Sequence, residues 1–192
     1  DAQLMGHWNW FSPAWSGHAL RPGVYFPTGR TDDPDNLADF GFGKGYFAGF
    51  IQSLHDFYPL RNPKYALTLK AQYQINLPSS KVYRLYQDPS IPLTQKKETI
   101  TSNPGDEWSL TPGVDVAIWG GLSFHSTYAF ARKFKDGIQG SDSRYNYKIL
   151  SGDTDFYSET WETGLGFSTT EYYTAKVFPV PFDFEVNYAR VV

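Results

Sequence analysis

Cysteine is absent from the 192 residues. No disulfide framework can therefore staple the fold, the usual device of small secreted domains with little core. No apolar stretch approaches the roughly 18 residues of a membrane-spanning helix, and the mean hydropathy is −0.45, so a helical membrane protein is excluded. Charge of one sign is also missing: 17 basic residues stand against 20 acidic ones, a net −3, with no block of like charge. A nucleic-acid partner leaves a basic footprint, and there is none. No segment carries a 3.6-residue apolar period. The opening Asp1-Ala2-Gln3 lacks the basic and apolar regions of a signal peptide.

What the chain does have is aromatic residues, 6 Trp, 14 Tyr and 15 Phe, and alternation. From Tyr65 to Leu77 the side chains Tyr65, Leu67, Leu69, Ala71, Tyr73, Ile75 and Leu77 share one phase. Ala66, Thr68, Lys70, Gln72, Gln74 and Asn76 share the other. Period 2 is the geometry of a strand. This run exceeds the typical strand of about 5–6 residues and is long enough for a tilted membrane-spanning strand of about 9–11. Aromatic abundance fits the interfacial girdles of such a barrel, and also the surface of a soluble glycan-binding module.

The pattern recurs. Over 106–119, Trp108, Leu110, Pro112, Val114, Val116 and Ile118 oppose Ser109, Thr111, Gly113, Asp115 and Ala117. Over 121–132, Leu122, Phe124, Tyr128 and Phe130 oppose Ser123, His125, Thr127 and Ala129. Over 158–170, Trp161, Leu165 and Phe167 oppose Thr160, Glu162, Gly164, Gly166 and Ser168. Over 172–190, Phe178 through Tyr188 oppose Asp183, Glu185 and Asn187. Weaker strands are expected at 3–12 and at 17–27, the latter interrupted by Pro22. Residues 45–58 are strand-like without a clear facing. The connections between these candidates alternate: short at 12–16, 59–63, Gly120-Gly121 and Thr170-Glu171, long and polar at 28–44, 78–105 and 132–157. Outer-membrane meanders sort short turns to one side and long loops to the other; a soluble sandwich has no reason to.

The expected fold is therefore all-β, an antiparallel up-and-down transmembrane β-barrel or a partial barrel of about eight visible strands. It is read as one domain over 1–192. If the short turns are periplasmic, the alternation also implies a further strand at each end, so the chain is expected to be incomplete at both.

The segment Leu20 to Asp39, LRPGVYFPTGRTDDPDNLAD, followed by Phe42-Gly43-Lys44-Gly45, resembles a family of Gram-negative outer-membrane proteins of the meta-pathway of phenol degradation. In that family a strand ends in Pro-Thr-Gly, here Pro27-Thr28-Gly29. An acidic loop follows, here with Asp32-Asp33, and then a Gly-rich approach to the next strand. Asn76-Leu77-Pro78, Pro104-Gly105-Asp106 and Ser168-Thr169-Thr170 are similar to later features of the family. The resemblance implies a barrel in the bacterial outer membrane that passes small molecules, hydrophobic ones among them, and it supplies no catalytic residues.

The chemistry expected is that of a lining. Arg21, Lys70, Gln72, Gln74, Asp115, His125, Glu162, Asp183 and Glu185 fall on the polar phases and would face a lumen, where rings of charge and constriction width set selectivity. His7, His18, His55 and His125 lack the spacing of a metal site. His125 is followed two residues on by Thr127, a poor substitute for a nucleophilic serine, and no Gly-x-Ser-x-Gly occurs, so no enzyme is expected. Asp32, Asp33 and Asp35 crowd one loop and are a weak calcium candidate; solvated turn residues are the plainer reading. No cofactor is expected. Three readings stay open: a channel or transporter in outer-membrane lipid, a structural barrel held by other envelope subunits, and a secreted soluble β-sandwich that binds glycans.

Overall fold

The computed structural model describes residues 1–31, 43–62, 64–85, 96–170, 174–177 and 179–191. Its strands are β1 (Ala2–Met5), β2 (Trp8–Phe11), β3 (Ser16–Phe26), β4 (Ala48–Phe57), β5 (Tyr65–Asn76), β6 (Ser79–Arg84), β7 (Lys97–Asn103), β8 (Glu107–Trp119), β9 (Leu122–Lys133), β10 (Gly137–Gln139), β11 (Phe156–Ser168) and β12 (Asp183–Val191). Nine of them form one antiparallel sheet in the order β1-β3-β4-β5-β8-β9-β11-β12, with β2 also on β3. Along that sheet the chain is a meander. Among the described residues no ladder joins β12 to β1 or β2, so the sheet is open rather than closed.

β1 and β2 lie end to end on β3, with Leu4 opposite Val24 and Trp8 opposite Leu20. The strand expected at 3–12 is thus a stave broken at Gly6-His7. The break faces Pro22, which has no N–H to give a ladder; its carbonyl accepts from the Gly6 N–H at 2.9 Å. β3, β4, β5, β8, β9 and β11 run 10 to 13 residues each, long for a globular sheet. The β8–β9 hairpin turns through Gly120 and Gly121 at φ +57° and +82°. Two successive positive φ values are those of a type I′ turn, which two glycines adopt without strain.

The segment expected as a strand at 172–190 begins only at Asp183. Pro179 and Pro181 cannot donate to a ladder. Thr169 ties the connection 169–182 instead, its N–H donating to Phe182 O and its Oγ1 accepting from the Phe182 N–H, both at 2.8 Å. A short turn at 170–171 is therefore replaced by a tethered connection.

The long connections 77–106 and 134–155 are also more than loops. They build a second, three-stranded sheet in the order β10-β7-β6. Its core is Leu85, Ile100 and Leu150, packed by Tyr83, Ile138, Tyr145 and Tyr147. The polar turn signals of these stretches hid a small core made of residues from both connections. The connection 27–47 leaves the main sheet at the same end, since Tyr25 pairs with Ala48 and Ala48 with Asn76.

The main sheet is inverted relative to a soluble domain. Its buried strand residues include Ala19, Ala48, Phe50, Gln52, Gln74 and Asn76. Following the register, all six lie on the polar face, while Ser16, buried at the start of β3, lies on the other. The apolar face is the exposed one: Val24, Ile51, Leu67, Tyr73, Ile75, Leu110, Trp161, Leu165, Phe184 and Val186 all stand open.

Candidate functional site

Directly opposed residues of an antiparallel pair share a face, so the register assigns every strand position. Arg21 is opposite Gln52, and Gln52 opposite Gln72; Lys70 is opposite Leu54 and Thr111; Gln74 is opposite Phe50 and Glu107. Asp115 is opposite Ala66 and His125, and His125 is opposite Gly164. Glu162 is opposite Thr127 and Ala189, Glu185 opposite Gly166, and Asp183 opposite Ser168. Every residue that the sequence proposes as a lining therefore sits on one face of one sheet. Asp32, Asp33, Asp35 and Asp39 lie outside the described residues.

The face is not uniform. From its middle toward the long connections runs an amide band, in which Gln52 Nε2 donates to Gln72 Oε1 at 2.9 Å and Gln74 Nε2 donates to Asn76 Oδ1 at 2.7 Å. Such amide pairs leave no lone charge to solvate. Arg21 Nε donates to His7 Nδ1 at 2.7 Å, and His7 meets Asn9 Oδ1 at 2.8 Å. Toward the short-turn end the face turns acidic. Asp56 and Glu162 stand in one register row, through Thr68, Gly113 and Thr127, with Asp115 in the next row of that face and Glu185 in the one after. Here His125 Nε2 lies 3.5 Å from Glu185 Oε1, and Asn187 Nδ2 donates to the same oxygen at 3.0 Å. Gly164 makes this cluster possible: a Cβ there would sit 2.0 Å from Asn187 Oδ1 and 2.5 Å from His125 Cε1. A cavity of about 270 Å³ adjoins it, lined by Ser123, His125, Asp183 and Glu185.

At the opposite end the face meets the bases of the long connections. Asn76 Nδ2 donates to Gly105 O at 2.6 Å, Gly105 N–H donates to Asp136 Oδ1 at 2.8 Å, and Lys133 pairs with Asp136. Asp106 accepts from Tyr73 Oη at 2.7 Å. A Cβ on Gly105 would stand 1.8 Å from Phe134 O, so the connections cross where only glycine fits. Pro104-Gly105-Asp106 and Asn76, which carry part of the family resemblance, are thus the joint that binds the small sheet to the large one. Lys44 approaches Glu107 at 3.6 Å. Tyr46 lies close by, and its phenol is pushed up to about 12, by burial first and then by the charges of Glu107 and Asp136.

Sequence reasoning left the facing of β4 unassigned because Phe50 and Leu54 fall in the polar phase. The structure supplies the reason for Phe50: its ring fills the space over Gly23, where a Cβ would meet Phe50 Cζ at 2.3 Å. Sequence reasoning also passed over Ser53 and His55 on the other face of β4, two residues apart. Their alternation was visible, but their partner His18 is brought in only by the β3–β4 register.

Fold and lining together define a long-stranded antiparallel sheet that leaves much of its apolar face exposed and, over β3, β4 and β5, buries residues of its polar one. No protein-family model matches the chain, and no curated protein matches it.

Proposed function

We propose that this chain is the wall of a bacterial outer-membrane β-barrel that passes small molecules along its polar face. The observation that carries the reading is the inversion of the main sheet. Ile75 is 52% exposed while its neighbours Gln74 and Asn76 are 3% and 4% exposed. In water an uncovered apolar face beyond a few hundred Å² is an aggregation site; against lipid it is the required surface. A soluble β-sandwich would bury this face against a second sheet, which weighs against the glycan-binding reading. The strand lengths and the sorting of connections to two ends agree with a barrel. So does the resemblance of the Pro27-Thr28-Gly29 segment to the outer-membrane family. In a bilayer the outer edges of β12 and of β1 and β2 must find partner strands, because an open edge leaves backbone groups unsatisfied in hydrocarbon.

The lumen in this reading is narrowest in charge at its acidic half. On the polar face Asp56, Glu107, Asp115, Glu162, Asp183 and Glu185 outnumber Arg21, Lys70 and Lys133, so cations pass in preference to anions. Reconstitution in planar bilayers tests it. Discrete openings with a cation-shifted reversal potential are expected, and a silent bilayer containing verified inserted protein refutes transport.

A further inference from the structure

On the exposed apolar face, where most polar side chains are absent, four form one hydrogen-bonded chain across β3 and β4. Ser53 Oγ lies 2.7 Å from His55 Nε2, His55 Nδ1 lies 2.7 Å from His18 Nδ1, and His18 Nε2 lies 3.0 Å from Ser16 Oγ. Two neutral imidazoles satisfy this chain in one direction at a time. In one, Ser53 donates to His55, His55 to His18, and His18 to Ser16. In the other the terminal hydroxyl is Ser16, which is 1% exposed and out of reach of any substrate. Only the first direction ends on an accessible nucleophile. It is the arrangement of an activated serine: a hydroxyl on a base, and a base oriented by a third group. Trp10, Phe11 and Phe57 pack on the His18 ring at centroid distances of 5.4, 5.5 and 5.5 Å, which fixes the ring that does the orienting.

A second observation says what such a serine would meet. Along the same face, beginning in the register row next to Ser53, runs an apolar groove of about 480 Å³ bounded by Leu4, Pro22, Val24, Ile51, Tyr73 and Ile75. Gly49 leaves it open, since a Cβ there has nothing within 4 Å. On the β5 side Ala71, directly opposite Ser53, presents only a methyl, while Leu20 stands opposite on β3. The exposed rings of Trp8, Trp10, Phe11 and Phe57 surround the chain, as a belt at the depth of lipid ester groups does.

We propose that Ser53 and His55 hydrolyse a carboxylic ester of a long acyl chain held in this groove, with His18 as the positioning residue. The Ser53 Oγ bonds to the acyl carbon as the ester C–O bond breaks. Its proton passes to His55 Nε2 and from there to the departing alkoxide. Water then attacks the acyl-serine, gives a proton to His55, and releases the fatty acid with Ser53 restored. That the ester belongs to a membrane lipid rests on the barrel reading; the serine chemistry does not.

The test uses the full chain folded in detergent micelles. A fluorophosphonate probe is expected to add to Ser53, located by peptide mass mapping, and p-nitrophenyl laurate is expected to be cleaved faster than the acetate. Ser53→Ala and His55→Asn each lose at least about 100-fold in kcat. His18→Ala lowers kcat at unchanged KM, and His18→Asn, which keeps an acceptor toward His55, recovers part of the loss. Gly49→Phe fills the groove and shifts preference toward short acyl chains, while Ser109→Ala on the opposite face leaves turnover unchanged. Retained strand circular dichroism in each variant separates chemistry from unfolding. Bilayer insertion without an adduct at Ser53 overturns the proposal and leaves the barrel reading intact. An adduct at Ser53 on a protein that does not insert overturns the barrel reading and, with it, the assignment of a membrane lipid.

Discussion

Leu67→Arg separates the two environments in which the apolar face could sit. Leu67 is 49% exposed and stands in β5 with Phe57 and Val114 directly opposite. Its row continues through Ser126, Thr163 and Tyr188, mid-strand in β9, β11 and β12, while Leu67 itself is the third residue of β5. If water covers this face, the substitution removes about half of a Leu burial, itself worth about 1.5–3 kcal/mol in full. The long apolar stem of Arg re-covers part of that area, leaving a loss of about 1 kcal/mol or less. If lipid covers it, a guanidinium there destabilises a barrel by up to about 2–4 kcal/mol, the value at the bilayer midplane, a factor of up to roughly 30 to 1,000 in the folding equilibrium. The assay is urea titration of the protein refolded into vesicles, followed by tryptophan fluorescence. Thr111→Arg, opposite Lys70 on the other face, is the matched control and is expected to change stability by about 1 kcal/mol or less. A Leu67→Arg loss no larger than that of Thr111→Arg would refute the lipid-facing assignment and everything built on it.

Three further outcomes are expected. Asp115→Asn combined with Glu185→Gln should lower cation preference in planar bilayers, read as a reversal potential moving toward zero, because it removes charge from the acidic half of the polar face. Gly121→Val should destabilise by more than about 1 kcal/mol, since it forces a β-branched residue to a positive φ and sets its Cβ 2.0 Å from Ser168 O; thermal unfolding measures it. The small sheet should loosen in acid before the large one. The Glu98 carboxylate accepts from Tyr147 Oη at 2.6 Å and from Ser141 Oγ at 2.7 Å, which holds it below the ordinary carboxylate range. Asp142 is held below that range by Lys96 and then by Arg144. A depressed carboxylate adds stability at pH above its unfolded value, and that contribution fades as pH falls from about 4 through the folded value. Amide exchange in β6, β7 and β10 should therefore accelerate below about pH 4 while β5 and β8 stay protected; equal protection of both sheets would count against it.

Much of the fold was legible along the chain because a pleat alternates with a fixed period. Tyr65 to Asn76 read as one long strand, and its two faces came out in the order that the register later set. Gly120-Gly121 read as a turn for a reason local to two residues. Where the reading failed, a distant residue decided. Phe50 looked out of phase until Gly23 on the next strand opened a place for its ring. The stretches 78–105 and 132–157 read as polar loops because Leu85, Ile100, Ile138 and Leu150 are too sparse to make a pattern within either one. They make a core only when the two connections meet across the Gly105–Asp136 joint. Pro179 and Pro181 carried the warning that the last strand starts late, and Thr169 shows how the segment is held instead.

By itself the sequence determined the long strands β3, β5, β8, β9 and β11, their two-faced chemistry and the tight Gly120-Gly121 turn, since each follows from period and turn residues. Tertiary structure alone decided which strands are neighbours, that β3, β4 and β5 bury residues of the polar face while Val24, Ile51 and Ile75 of the apolar face stay exposed, and that His18 and His55, 37 positions apart in the chain, share one hydrogen bond. Register between strands is a long-range quantity: a one-residue slip would send His18 to the opposite face.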